Sequence, residues 1–237
     1  MANVRKEPSG GRLSDLELRA IYRQDYVDQY DAHAVPRMRR MLPFFELSGR
    51  EAVADFGCGN GVLLELIAPR VREYVGVDFS EEFIRAAERR RLAKGIEKGT
   101  FHCADIVEFS EEHVGQFDAA FALDFSEHVY DDQFVRIFTA ICQSLKPHGS
   151  LYIHTPNREY FLEQFHEHGI MKQVEGHVAV RRVDQHRGLL AQCGFRDVQV
   201  RYLAHYLALP ALLHPLGSLP FVGRHIRARL FLHCRRF

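Results

Sequence analysis

From Leu13 to about Leu47, apolar and polar positions recur at helical spacing, and Tyr22, Tyr26 and Tyr30, four apart, share one predicted face. Pro36 predicts a break of this stretch into two helices. After Gly49 the pattern changes. Short apolar runs alternate with amphipathic segments: a strand Ala52–Phe56, a helix from Val62 to about Pro69, a strand Glu73–Asp78 and a helix opened by Ser80. Glu81 and Glu82 in its first turn and Arg89, Arg90 and Arg91 near its end suit the helix dipole. A third strand is predicted around Phe101–Cys103 and a fourth over Phe117–Leu123. A helix from Asp132 to about Leu145 stops at Pro147, and a fifth strand spans Ser150–His154. Strands alternating with helices imply an α/β fold, a parallel sheet with helices on both faces.

The later pattern is less regular. Glu159–His168 reads as a helix, and Arg158–Gly176 as a segment lying over the substrate side, where Tyr160, Phe161 and Phe165 offer an aromatic wall. Tyr202–Val222 is strongly apolar, but Pro210, Pro215 and Pro220 argue against one regular membrane helix. It reads either as a lid on the site or as a face resting on an anionic membrane surface. Ile226–Cys234 alternates as a strand does.

Composition narrows the picture. The 237 residues are 46% hydrophobic and 26% charged, ordinary for one globular domain. Lysines and arginines total 31, as do aspartates and glutamates, which excludes a uniformly basic nucleic-acid binder. The balance hides a segregation: six arginines and no carboxylate lie between Val198 and Phe237, so the rest of the chain carries −6. Five cysteines without a C-x-x-C pair fit neither a disulfide framework nor a zinc cluster and imply a reducing, cytoplasmic setting. The first residues lack an apolar core, so no signal peptide is expected, and residues 1–12 read as a disordered lead-in.

The candidate chemistry starts at Asp55-Phe56-Gly57-Cys58-Gly59-Asn60-Gly61, between a strand and a helix. Glycines there allow a tight turn and a ligand's approach to backbone N–H groups. The dinucleotide fingerprint requires Gly or Ala where this chain has Val62, which disfavours a nicotinamide enzyme. Asp78, ending the second strand, stands where an acid can accept hydrogen bonds from ribose hydroxyls.

These motifs resemble those of class I S-adenosylmethionine-dependent methyltransferases. D-F-G-C-G-N-G and V-G-V-D-F-S look like that family's first two motifs, and His102-Cys103-Ala104-Asp105-Ile106 like its adenine-contacting segment. Leu145-Lys146-Pro147-His148-Gly149 is similar to its L-K-P-G-G, with His148 replacing a glycine. The resemblance implies a three-layer sandwich, a doubly wound, mostly parallel seven-stranded sheet with an antiparallel last strand inserted between strands five and six. It implies S-adenosylmethionine as cofactor, with Gly57, Cys58, Gly59 and Gly61 along its methionine portion and Asp55 supporting its amino group. Asp78 would then hold the ribose, Phe79 pack on ribose or adenine, Asp105 and Ile106 meet the adenine, and Leu123 line the site.

After the fourth strand, Asp124-x-x-Glu127-His128-Val129 is similar to the E-x-x-E-H-V of ubiquinone-type O-methyltransferases, with Asp124 in place of the first glutamate. Three roles remain open for Asp124, Glu127 and His128. They could bind a divalent cation such as Mg²⁺, supply a base or substrate contact at His128, or shape the cofactor's surroundings. His154, at a strand's carboxyl end, His177 and Tyr160 are substrate-side candidates.

The expected organisation is a single methyltransferase domain over 13–237: N-terminal helices (13–47), a cofactor-binding core (50–155), a substrate-side segment (158–225) and a last strand (226–235). The expected reaction is methyl transfer to a small molecule, with O-methylation of a phenolic or lipid-like acceptor leading. N- or C-methylation, or a catalytically silent cofactor-binding partner protein, are the alternatives. No nucleic-acid partner is expected, since the chain lacks N/D-P-P-Y/F after strand four. Location is expected to be cytoplasmic, with peripheral membrane contact through the C-terminal segment; neither the acceptor nor the oligomeric state is legible.

Overall fold

The computed structural model describes residues 34–171, 176–205, 211–219 and 221–237. The tyrosine-bearing stretch and the lead-in lie outside these residues. Residues 34–39 are helical, so the described helix runs through Pro36. It does not continue to Leu47. A 3₁₀ turn at Leu42–Phe44, with Pro43 inside it, ends the helical run, and Phe45 is extended.

Seven strands form one sheet in the order β3-β2-β1-β4-β5-β7-β6. They are β1 Ala52–Phe56, β2 Glu73–Asp78, β3 Thr100–Cys103, β4 Phe117–Leu123, β5 Leu145–Pro156, β6 Phe195–Leu203 and β7 Arg229–Arg236. The first five pair in parallel, whereas β7 runs antiparallel to both β5 and β6. The helices are α1 Val62–Ile67, α2 Glu81–Ala93, α3 Ile106–Glu112, α4 Asp131–Ser144, α5 Phe161–Glu167 and α6 Val183–Gln192. Ser80 caps α2 as its sequence predicts, its Oγ accepting from Phe83 N at 3.3 Å. None of the described helices is long and apolar enough to cross a membrane.

The central strands β1 and β4 bury both faces, so adjacent residues serve different cores. On one face Phe56, Phe109, Phe134, Phe138 and Leu190 pack together. On the other Met38, Met41 and Phe45, from the segment before β1, pack on Val53, Tyr74, Phe121, Tyr152 and Phe231.

Two boundaries differ from the sequence pattern. β5 begins at Leu145, not Ser150. Leu145 pairs with Phe117 and Ser150 with Ala119, so residues 146–149 bulge out of the ladder. His148 takes a left-handed φ of 63° there, and Lys146 Nζ reaches Asp118 Oδ1 at 2.7 Å. Pro147 sits in this bulge, where its missing N–H costs no ladder bond. The last strand likewise starts at Arg229, not Ile226, because Gly223–His225 forms a 3₁₀ turn with Ile226 at its end.

The order of the strands reverses between β1 and β4. In open α/β sheets that is where ligands bind, beyond the carboxyl ends of the strands.

Candidate active site

The β1–α1 turn sits at this switch point. Gly57, Gly59 and Gly61 have φ of 73°, 52° and 74°, which side chains with a β-carbon rarely adopt. Gly61 also has no room for one: its β-carbon would meet Phe101 Cζ at 2.9 Å. Gly57 N and Cys58 N both donate to Val77 O, tying the turn to β2. Asp78 then organises the turn from the end of β2. Its Oδ2 accepts from Gly59 N at 3.0 Å and its Oδ1 from Ser80 N at 3.0 Å.

Two buried carboxylates therefore flank the turn. Burial pushes Asp78 up to about 6, against three backbone N–H bonds that lower it. Burial likewise pushes Asp55 up to about 7, against the Tyr74 hydroxyl, which donates to its Oδ2 at 2.6 Å. Carboxylates held in this state favour a cation or hydroxyl donors beside them. Asp105 caps α3, accepting from Val107 N at 2.8 Å, and Ile106 opens that helix. Phe79 is half-buried beside Asp78, and Leu123 is buried at the end of β4.

Beyond β4 the chain turns through Asp124, whose φ is 53°, into a 3₁₀ turn Ser126–His128. Phe125 faces the glycine turn: a β-carbon on Gly57 would stand 3.0 Å from its Cδ2. Glu127 is 1% exposed and accepts from Thr155 Oγ1 at 3.0 Å. Burial, reinforced by Asp124, pushes its carboxyl up to about 7. His128 Nδ1 lies 2.9 Å from Gly176 O, and burial lowers the imidazole's basicity. His177 stands against it, ring centroids 5.2 Å apart, and is pushed down to about 3 by burial and by His128. Glu127, His128 and His177 each offer one ligand atom, all within 4.8 Å of one another.

Asp124, grouped by sequence with Glu127 and His128, belongs to a different set. Its Oδ2 lies 2.8 Å from Arg37 Nε, its Oδ1 2.8 Å from His154 Nδ1 and 3.9 Å from an Arg229 nitrogen. Burial alone would raise this carboxyl, but Arg37 and His154 outweigh it and hold it well below the usual range. His177 takes the place in the cluster that the D-x-x-E-H spacing suggested for Asp124. His154 is 2% exposed and held to Asp124; with Arg37, Arg40 and Arg229 it lines a small cavity. Tyr160 is buried, its ring 5.9 Å from His205.

Arg181 holds the site's framework and was not singled out from the sequence. Only 1% exposed, it donates to Ser126 O, Val129 O and Ala179 O and pairs with Asp131 at 2.8 Å. Together with the Val178 and Ala179 amides, which donate to Glu127 O, it clamps the Glu127–His128 turn to the irregular segment that carries His177. Arg181 stands beside Arg182 in the sequence, and nothing local tells which of the two turns inward.

Comparison with known proteins agrees with this geometry. Residues 53–149 match the family model described as a methyltransferase domain. The sheet order, the reversed last strand and the glycine turn at the switch point are those of the S-adenosylmethionine-dependent methyltransferase fold, and residues 53–149 carry the matching methyltransferase domain. Within it, the chain is similar to a ubiquinone biosynthesis O-methyltransferase of Aromatoleum aromaticum, 33% identical over 114 residues, or 48% of this chain and 47% of that protein. The chain thus spans about half the length of the curated relatives it matches. Among solved structures, a Haemonchus contortus phosphoethanolamine N-methyltransferase, in complex with phosphomonomethylethanolamine and S-adenosylhomocysteine, superposes with a TM-score of 0.72. It is 17% identical, and the match covers 95% of this chain and 60% of that one. The [4+2]-cyclase SpnF superposes at 0.63 with 16% identity, covering 85% and 81%.

Proposed function

We propose that the protein transfers a methyl group from S-adenosylmethionine to an oxygen of a small, largely apolar acceptor. One observation carries this reading: the segment that packs Phe125 against the glycine turn also presents a buried carboxyl and an imidazole beyond β4, where His177 from a distant loop joins them. The donor set suits the cofactor. Asp55 and Asp78, raised by burial, would gain from its ammonium group and ribose hydroxyls, and its sulfonium is itself a cation. In the reaction the acceptor oxygen forms a bond to the methyl carbon as the carbon–sulfur bond breaks. Sulfur keeps the electron pair, and the hydroxyl proton passes to Glu127 or a neutral imidazole. Alignment supplies most of the rate and the base the remainder.

Similarity to ubiquinone-type O-methyltransferases supports oxygen as the nucleophile, and Phe161 and Phe165 on α5 support an apolar acceptor. One carboxylate with two imidazoles kept neutral by burial also suits a divalent cation, held by Glu127, His128 and His177. Such an ion would acidify a bound hydroxyl. Metal analysis of the purified protein, before and after His177→Ala, tests this; no metal in either removes it.

A second reading, a cofactor-binding protein without methyl transfer, is favoured by the likeness to a cyclase, because this fold does not fix the reaction. Calorimetry with S-adenosylmethionine, S-adenosylhomocysteine and NAD, followed by a methyl-donor assay over catechols, hydroxyquinones and lipids, separates the two. Binding of the first two with turnover of one acceptor supports methyl transfer. Binding without turnover on any acceptor favours the second reading, and preference for NAD overturns both.

A further inference from the structure

Between β6 and β7 the described chain exposes a run of large apolar side chains. Leu212 is 73% exposed, Leu216 44%, Leu219 49%, Phe221 91% and Val222 54%. A soluble surface tolerates scattered apolar residues, but a contiguous run marks an interaction site.

These side chains stand on a built platform. Leu216 N donates to Leu213 O, Leu219 N to Leu216 O and Gly223 N to Leu219 O, so the backbone satisfies itself in 3₁₀ turns. Gly217 and Gly223 meet so closely that a β-carbon on Gly223 would lie 2.2 Å from Gly217 O. Arg227 Nε ties the first turn down through Gly217 O at 2.9 Å, and His225 Nδ1 ties the second to Glu159 O at 3.1 Å. The apolar side chains thus face out while the glycines and polar bonds face in.

Phe221 adds a second argument. Its φ of 64° is a conformation that bulky residues avoid, yet it is the most exposed large apolar residue of the described chain. Neither local backbone preference nor burial favours phenylalanine there, and strain kept without a packing reward points to function.

The charge around the platform selects its partner. Along the chain from Val198 to Phe237 there is no acidic side chain, and the charged residues flanking the apolar run in sequence are Arg224, which is exposed, and Arg227. We propose that this platform docks the protein on an anionic lipid surface, Leu212, Leu216, Leu219 and Phe221 entering the acyl boundary and Arg224 meeting the headgroups. The strand that follows opens at Arg229, which lines the cavity beside His154, so a membrane-borne acceptor would arrive next to the site.

The test is flotation of the full chain with phosphatidylcholine vesicles, with and without 30% phosphatidylglycerol. The expected result is binding that grows with the anionic lipid. Phe221→Asn relieves the backbone and should fold at least as well as the parent, yet with Leu219→Gln it should lower vesicle partitioning by roughly tenfold or more. Arg224→Glu should abolish the preference for phosphatidylglycerol. S-adenosylhomocysteine affinity, measured by calorimetry, should be the same in all variants, which separates this proposal from the catalytic one. No flotation of the parent chain, or equal flotation of parent and double variant, overturns it. So does sedimentation showing that the platform joins two copies of the chain that ignore vesicles.

Discussion

The two sides of the switch point solve opposite electrostatic problems. On the β1–β2 side, Asp55 and Asp78 are buried with a tyrosine hydroxyl and backbone amides for company, and burial raises both. On the β4–β5 side, Asp124 is as deeply placed but lies between Arg37, His154 and Arg229, which hold it ionised. The first side is left short of positive charge, which suits a cationic cofactor. The second has its carboxylate already matched, and there the raised acid is Glu127, one turn further on. The same residue type thus does different work according to whether a guanidinium or a ligand completes it.

The sharpest way to break this contrast is Asp78→Ala. Removing the acceptor of Gly59 N and Ser80 N should weaken S-adenosylhomocysteine binding by roughly 100-fold in calorimetry, the worth of two charge-assisted hydrogen bonds. Asp124→Ala should instead leave that affinity within a fewfold and show itself in stability, because it strands Arg37 and His154. Comparable losses of affinity in the two variants would erase the distinction. Next, Arg181→Ala should destabilise the fold by about 2–4 kcal/mol in urea, since it leaves the buried Ser126 and Val129 carbonyls without their donor, while the exposed Asp131 stays solvated. Glu127→Gln should lower kcat by about 100-fold while leaving cofactor affinity unchanged, the outcome for a proton acceptor remote from the glycine turn.

The smallest effect is in pH. Asp55 and Asp78 have folded values of about 7 and 6, above the ordinary 3.8, so the unliganded fold binds more protons than the unfolded chain between about pH 4 and 7. Stability of the unliganded protein should therefore be highest below pH 4 as far as these groups decide it, and should decline as pH rises to 7. Affinity for the cationic S-adenosylmethionine should move the other way, rising severalfold from pH 6 to 8. Melting temperature and calorimetry across that range check both signs; a flat affinity would remove Asp55 and Asp78 as the groups that meet the cation.

Much of the cofactor side was legible because its signals are local. β2 and β4 fall on their expected residues, and the glycines form the tight turn expected between strand and helix. The acceptor side depends on contacts between distant segments, which no window of sequence contains. His177 reaches His128 across 49 positions, and Arg37 reaches Asp124 from before β1. The D-x-x-E-H spacing could not show that Asp124 pairs with an arginine and a histidine from distant segments. β5 starts at Leu145, before the Ser150 that the pattern suggests, because a bulge lets Pro147 stay within the strand.

The antiparallel strand has a consequence for how the molecule assembles during synthesis. β6 joins the sheet only through β7, which lies between it and β5. When β6 leaves the ribosome it has no edge to pair with, and β5 waits with one side open. The half of the sheet nearest the cofactor can close as it is made, whereas the other half is held until β7 threads into the gap, and for that interval two unpaired edges are open to the wrong neighbour.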